Sequence, residues 1–255
     1  MMIESSARVT CIPDWAGERY LAVLERLHQT INPQTYFEIG TSSGRSLSLA
    51  KCASLAVDPV FAFDDIALVK RIMAKPRLAL YQIPSDAFFA KYNPAALLGA
   101  PIDIAFLDGM HQCEFLLRDF INTERHCRRN SIIALHDCLP VELSITARTQ
   151  DYGAAILPHR TGWWAGDVWR TGLLLRRRRP DLRITALNAA FTGLLLITDL
   201  NPDNAAFGEG YAAHVQEMMS WRLEEIGLPQ LFTEMQVEST ATLAEDHQIK
   251  ARFRL

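Results

Sequence analysis

The stretch TYFEIGTSSGRSLSLA, residues 35–50, decides the reading of the fold. Tyr36, Phe37 and Ile39 are aromatic or β-branched, as a parallel strand covered on both faces requires, and Gly40 and Gly44 punctuate its end. Glu38 is the one charged residue in that strand. After the turn, Leu47, Leu49 and Ala50 can face a sheet from a helix capped by Ser42 or Ser43, and the free amides of a helix start favour an anionic or polar ligand. Glycine spacing selects among ligands. The chain has neither the dinucleotide fingerprint G-x-G-x-x-G nor a G-x-x-x-x-G-K-[ST] phosphate loop, which disfavours NAD and ATP. Taken alone, the stretch also fits a strand, turn and helix that bind nothing.

Working outward, SLAVDP reads as a second strand ending in Asp58, 20 residues after Glu38. An acid there can accept hydrogen bonds from both ribose hydroxyls, or serve only as the turn residue before Pro59. A helix over 61–75 and a third strand, RLALYQIP, follow; Ser85 and Asp86 then stand before the apolar run AFF, with Ser85 a good N-cap. IDIAFLDGMH reads as a buried fourth strand that breaks at Asp108, with His111 in the same turn. Open α/β sheets bind ligands at the carboxyl ends of their strands. A carboxylate and an imidazole three residues apart can hold a metal or move a proton, or simply form a solvated turn. The helix after them presents Phe115, Leu116 and Phe120 inward, with Arg118 and Asp119 outward or capping. SIIALHDC repeats the arrangement, so Asp108, His136 and Asp137 should converge, because adjacent strands lie about 5 Å apart. That donor set suits Mg²⁺ or Mn²⁺, with Zn²⁺ or Fe²⁺ as alternatives.

E-I-G-T-S-S-G resembles the first motif of class I S-adenosylmethionine methyltransferases, with Ser42 in place of the middle glycine. D-G-x-H-x-x-E, then R-D, then a strand ending in H-D is similar to the family of macrocin-type O-methyltransferases and cephalosporin-hydroxylase-like proteins, and more distantly to catechol-type O-methyltransferases. The resemblance covers about residues 35–140. It departs at Ser42, at Cys113 where the family has tyrosine, and at Asn130 and Ser131 where a glycine pair precedes the fifth strand. It implies S-adenosylmethionine held by Glu38, Gly40, Thr41, Ser42 and Gly44 at its methionine end, by Asp58 at the ribose and by Ser85 and Asp86 at the adenine. The sulfonium methyl would lie near Asp108. Asp108, His136 and Asp137 become ligands of a divalent metal, Mg²⁺ first, and His111 with Asp108 the catalytic pair. The implied fold is Rossmann-like: a mostly parallel seven-stranded sheet, helices on both faces, and a C-terminal antiparallel hairpin.

The rest of the chain supports this order of elements. Residues 14–31 carry apolar side chains at helical spacing and lead into the core, residues 35–200. A long segment, residues 139–170, holds Arg148, Tyr152, His159, Trp163, Trp164, Asp167 and Trp169 and suits a lid over a flat or sugar-like acceptor, or a docking surface for a partner subunit. A helix ending before Pro180 gathers the arginines 176–179 in its last turn, where cations complement the helix dipole and form a solvated face rather than an RNA contact. Two β-rich runs, 182–188 and 193–199, form the hairpin, and a helical extension, 202–255, contains one main helix over 205–226. All 255 residues are read as one domain.

With 26 basic and 29 acidic residues, a net charge of −3 gives no field for nucleic acid or membrane, so a small-molecule acceptor is expected. Five cysteines without a C-x-x-C pair fit free thiols in a reducing cytoplasm, and no signal-like N-terminus or long apolar run is seen. A homo-oligomer is compatible with the sequence. Two other functions fit the same residues: a catalytically silent binding or assembly protein, and a metal-dependent hydrolase or oxygenase using the His/Asp cluster.

Overall fold

The structure, a computed structural model, describes residues 9–151, 153 and 155–254; Tyr152 and the first eight residues lie outside the described residues. Seven strands form one sheet: β1 (Thr35–Ile39), β2 (Ala53–Val57), β3 (Leu78–Tyr81), β4 (Ile102–Leu107), β5 (Cys127–His136), β6 (Arg183–Leu187) and β7 (Leu194–Thr198). Their order is β3-β2-β1-β4-β5-β7-β6. The pairs from β3 to β5 are parallel, and β7 runs antiparallel to both β5 and β6, so the expected hairpin inserts its second strand beside β5.

Alternation along each strand divides the core into two layers. Phe37, Leu55, Ala105 and Ile133 face α3 (Ser85–Phe89), α4 (Pro94–Leu98), α5 (Cys113–Glu124) and α6 (Trp169–Arg178). Tyr36, Ala56, Ile104, Phe106 and Ile132 face α1 (Tyr20–Ile31), α2 (Ile66–Met73) and the C-terminal helix Asp246–Arg252. Every residue of β4 is buried, and burying each large side chain is worth about 1.5–3 kcal/mol. Phe106 is held additionally by a stacked contact with Tyr20, centroids 5.8 Å apart.

Register matters most for function. Ile39 pairs with Val57 and with Leu107, and Leu107 pairs with Leu135. The next residues, Gly40, Asp58, Asp108 and His136, therefore emerge in one row at the carboxyl edge of the sheet.

Four local expectations change. After residues 40–44 the chain makes only a 3₁₀ turn, Leu47–Leu49, because Gly40, Ser42 and Gly44 all have left-handed φ and the serine-rich run supplies too few helix formers to continue. No helix start therefore offers its amides there. The first helix begins at Tyr20 rather than near 14, since the preceding backbone bonds to the β6–β7 connection through Ala190. The C-terminal helix breaks into Ala205–Glu209, Tyr211–Ser220 and Leu223–Ile226, with Gly210 at one interruption. The arginine cluster is a solvated face only in part: Arg177 and Arg178 are exposed and pair with Glu234 and Glu217, whereas Arg179 is buried on Glu124 and Asp181 and Arg176 donates to two backbone carbonyls. Among the described residues all five cysteines are free, and no helix is long and apolar enough to cross a membrane.

Candidate active site

A cavity of about 940 Å³ opens over the carboxyl edge of β1, β2 and β4. Gly40, Thr41, Ser42, Asp58, Ser85, Asp86, Asp108 and His111 all line it, so most of the residues expected at the site share one space. A second cavity, about 740 Å³, lies at the opposite edge beside Gln34 and Ala53, but gathers none of these groups.

The turn after β1 is organised by Asp58. Its two carboxylate oxygens accept the backbone N–H groups of Ser42 and Val60, each at 2.8 Å. Ser42 takes a left-handed conformation, with φ 45°, and its amide tethers the turn to Asp58 at the end of β2. Gly40 cannot be replaced so easily, because an added Cβ would fall 1.9 Å from the carbonyl oxygen of Asp108.

Glu38 lies beneath this turn, fully buried, and does not line the cavity. Burial raises its pKa to about 7, against the Tyr36 hydroxyl, which donates to it, and the nearby hydroxyls of Thr41 and Ser46. It supports the turn instead of facing a ligand. Asp86, expected at the adenine, is exposed at the cavity wall and held by Arg118 at 2.6 and 2.9 Å. Ser85 is the first residue of α3 rather than its cap; Pro84 precedes the helix. Asp119, read as outward or capping, is buried beneath the same end of the cavity. Burial pushes it up to about 7, with the nearby Ser85 hydroxyl opposing the shift. The sequence signal that could have found it is its position one residue before Phe120, on the inward side of α5.

At the ends of β4 and β5 the expected cluster forms, with a different histidine foremost. His111 Nε2 lies 3.2 Å from Asp108 and 3.2 Å from Asp137, and atoms of these three side chains all fall within 4.8 Å of one another. His136 Nδ1 is 3.3 Å from Asp108 and 3.4 Å from Asp137, while its Nε2 is buried without a hydrogen-bond partner. Tyr20, which sequence reasoning missed, lies over the His136 ring at 4.0 Å between centroids. Thr192, also missed, donates its hydroxyl to Asp137 and orients it. It arrives from the β6–β7 connection, and nothing in its local sequence marks it.

Electrostatics follow from this crowding. Burial disfavours charge on His111, but Asp137 and Asp108 outweigh it and raise the pKa to about 9. The same balance takes His136 to about 10. Burial would raise Asp108, yet His136 and His111 hold it well below the usual carboxylate range. Two anions sharing imidazole protons in this way are the arrangement a divalent cation can replace.

The donor set fits such an ion. His111 Nδ1 donates to the Trp164 carbonyl at 2.9 Å, so it is Nε2, between the two carboxylates, that would give up its proton and present a lone pair to a cation. The departures from the family pattern leave this site intact. Cys113 is buried at the start of α5 with its thiol pushed up to about 12, first by burial and then by Asp167 and Glu114. Ser131 ties β5 to β4 by donating to the Ile102 carbonyl at 2.6 Å.

Residues 37–138 match the family model of a methyltransferase domain. The fold is a class I methyltransferase fold. The resemblance to class I S-adenosylmethionine-dependent methyltransferases is thus borne out, over the segment that carries both strand-end clusters. Among solved structures of this methyltransferase fold, the chain is similar to cofactor-bound Rv0187 from MTB, at 16% identity and TM-score 0.52, covering 73% of this chain and 83% of that one. It is also similar to the O-methyltransferase TomG from Streptomyces achromogenes, solved in complex with SAM, at 15% identity and TM-score 0.51, covering 71% and 79%. At these identities the likeness bears on the fold. No curated protein matches the chain.

Proposed function

We propose that the protein is an S-adenosylmethionine-dependent O-methyltransferase that acts on a small polar acceptor with the help of a divalent metal. The observation that carries this reading is the cavity lined both by the Asp58-held turn and by Asp108 and His111, with Asp137 3.2 Å from His111 completing the cluster. The methyltransferase-domain match supports it, as does the fold shared with a SAM-bound O-methyltransferase.

Gly40, Thr41 and Ser42 line the part of the cavity suited to the methionine end, where backbone can approach closely, whereas Gly44, expected with them, does not line it and packs against Phe63 and Ile72. Asp58 retains lone pairs toward the cavity after accepting two amides, as ribose hydroxyls require. Ser85 and Asp86 suit the adenine, with Arg118 fixing Asp86. When bound, the cofactor supplies an electrophilic methyl and the metal a charge that lowers the pKa of the acceptor hydroxyl. Asp108, His111 and Asp137 would hold that ion, and their largely oxygen donor set suits Mg²⁺ or Mn²⁺.

His111 was expected to form the catalytic pair with Asp108. Its Nδ1 is engaged by Trp164, and its Nε2 cannot take a proton and ligate an ion at once; the equal approach to two carboxylates favours the ligand role. Tyr20 and Trp164 line the cavity beside the cluster and give a small acceptor an aromatic wall. Calorimetric titration with S-adenosylhomocysteine tests the reading. No binding by the purified, ligand-free protein would sink it, and turnover that survives without any S-adenosyl compound would point to hydrolase or oxygenase chemistry instead.

A further inference from the structure

We propose that the segment 164–167, anchored through Asp167 by Arg148, is a fixed clamp that positions His111, making Asp167 and Arg148 positioning residues for the metal site. The inference rests on reading Asp108, His111 and Asp137 as metal ligands, and adds residues that touch neither metal nor cofactor.

His111 is held on three sides by this short segment. The Trp164 carbonyl accepts its Nδ1–H at 2.9 Å, and the Trp164 ring stacks on the imidazole with centroids 4.9 Å apart. The Asp167 amide donates to the His111 carbonyl at 3.1 Å. Gly166 lies so close that a Cβ there would fall 1.8 Å from the same carbonyl oxygen. The need for such support is written in the backbone: His111 has φ 55°, a left-handed conformation that a non-glycine residue keeps only where its surroundings impose it.

Asp167 connects the clamp to the start of α5. Its Oδ1 accepts the amide of Cys113, the first residue of that helix, at 2.8 Å, while Oδ2 receives Arg148 at 2.7 Å and Arg170. Arg148 continues to Glu114 at 2.5 Å and to Gln112 at 3.2 Å. Cys113, Glu114 and Asp167 carry atoms close enough together to hold a second metal. Two guanidinium groups already occupy those carboxylates, so the cluster is a charged tie between the segment and the helix that follows His111. Asp167 is 2% exposed, and a buried, fully paired carboxylate of this kind fixes geometry.

The test uses the full-length protein, with Mn²⁺ and S-adenosylhomocysteine titrated separately by calorimetry. Asp167→Asn keeps an oxygen for the Cys113 amide but loses the charge that holds Arg148 and Arg170. Arg148→Lys keeps a charge but cannot reach Asp167, Glu114 and Gln112 together. Each variant should bind Mn²⁺ at least tenfold more weakly while S-adenosylhomocysteine affinity changes less than threefold. Mn²⁺ affinity within twofold of wild type in both variants overturns the clamp, and so does an equal loss of both affinities, which would mark a general structural role. Absence of Mn²⁺ binding by the wild-type protein overturns it as well. Failure of the wild-type protein to bind S-adenosylhomocysteine counts instead against the methyltransferase reading. Should Asp167→Asn not fold, the same Mn²⁺ criterion applied to Arg148→Lys decides the matter.

Discussion

The carboxylate of Asp58 accepts the backbone N–H of Ser42 at 2.8 Å, so the residue that ends β2 holds the turn that ends β1. The same side chain receives Val60 N–H at 2.8 Å and lines the cavity. Hydrogen bonds to a charged group contribute about 1.5–3 kcal/mol each. Asp58→Ala removes both acceptors and the contact offered to the cofactor. S-Adenosylhomocysteine affinity should fall at least tenfold by calorimetry; an unchanged affinity would remove Asp58 from the site.

Gly40→Ala should be the more damaging change at the turn. Its φ of +83° disfavours any side chain, and the new Cβ would collide with the Asp108 backbone at 1.9 Å. We expect a loss of about 2–4 kcal/mol in urea denaturation, in the range of overpacked or strained sites. Metal affinity should fall with it, because Asp108 must move. A variant as stable as wild type would mean that the turn can relax away from β4.

Asp108→Asn separates the metal proposal from the cofactor proposal. It keeps the shape of the side chain but removes a charge from a cluster in which Asp108 faces both His111 and His136. Mn²⁺ or Mg²⁺ affinity should drop at least tenfold, about 1.4 kcal/mol. Since the native carboxylate is paired with two imidazoles, the variant should also melt lower than wild type. Titration showing equal ion affinity would end the metal half of the proposal.

Stability should depend on pH through two buried groups with opposite signs. Asp119 has its pKa raised from 3.8 to about 7, chiefly by burial. Between those values the folded state binds more protons than the unfolded state, so its contribution to stability is present below about 4 and is lost as pH rises toward 7. Asp119→Asn should therefore gain on wild type as pH rises through that window, by up to a few kcal/mol. His28 behaves the other way. Burial, then Lys75, lowers its pKa from 6.5 to about 3, so its contribution is present above 6.5 and is lost as pH falls toward 3. His28→Gln should flatten the acid limb of the stability curve. Chemical denaturation of the three proteins at intervals from pH 4 to 8 checks both, and parallel curves would show that neither group titrates as its burial requires.

The sequence by itself determined the sheet and the placement of the strand ends. Runs such as IDIAFL and SIIAL are short, apolar and β-branched, so burial on both faces leaves them little choice but a central parallel strand. Each ends in an acid or a His-Asp pair, and register aligns residues 40, 58, 108 and 136 in one row, of which 40, 58 and 108 line the cavity while His136 lies beside Asp108. Local pattern failed where local forces were weak. Residues 45–49 follow a strand and a glycine turn where a helix is expected, yet left-handed residues ahead of them and the tether to Asp58 leave only a 3₁₀ turn. Only the tertiary structure decided which groups meet within the cluster. Thr192, Tyr20, Trp164 and Asp167 reach the neighbourhood of Asp108 and His111 from remote parts of the chain. No periodicity encodes such encounters, because they depend on how separate elements pack rather than on what any one segment prefers. The same packing set how the two histidines meet the carboxylates: the Trp164 carbonyl holds His111 with Nε2 toward them, while Tyr20 covers the ring of His136.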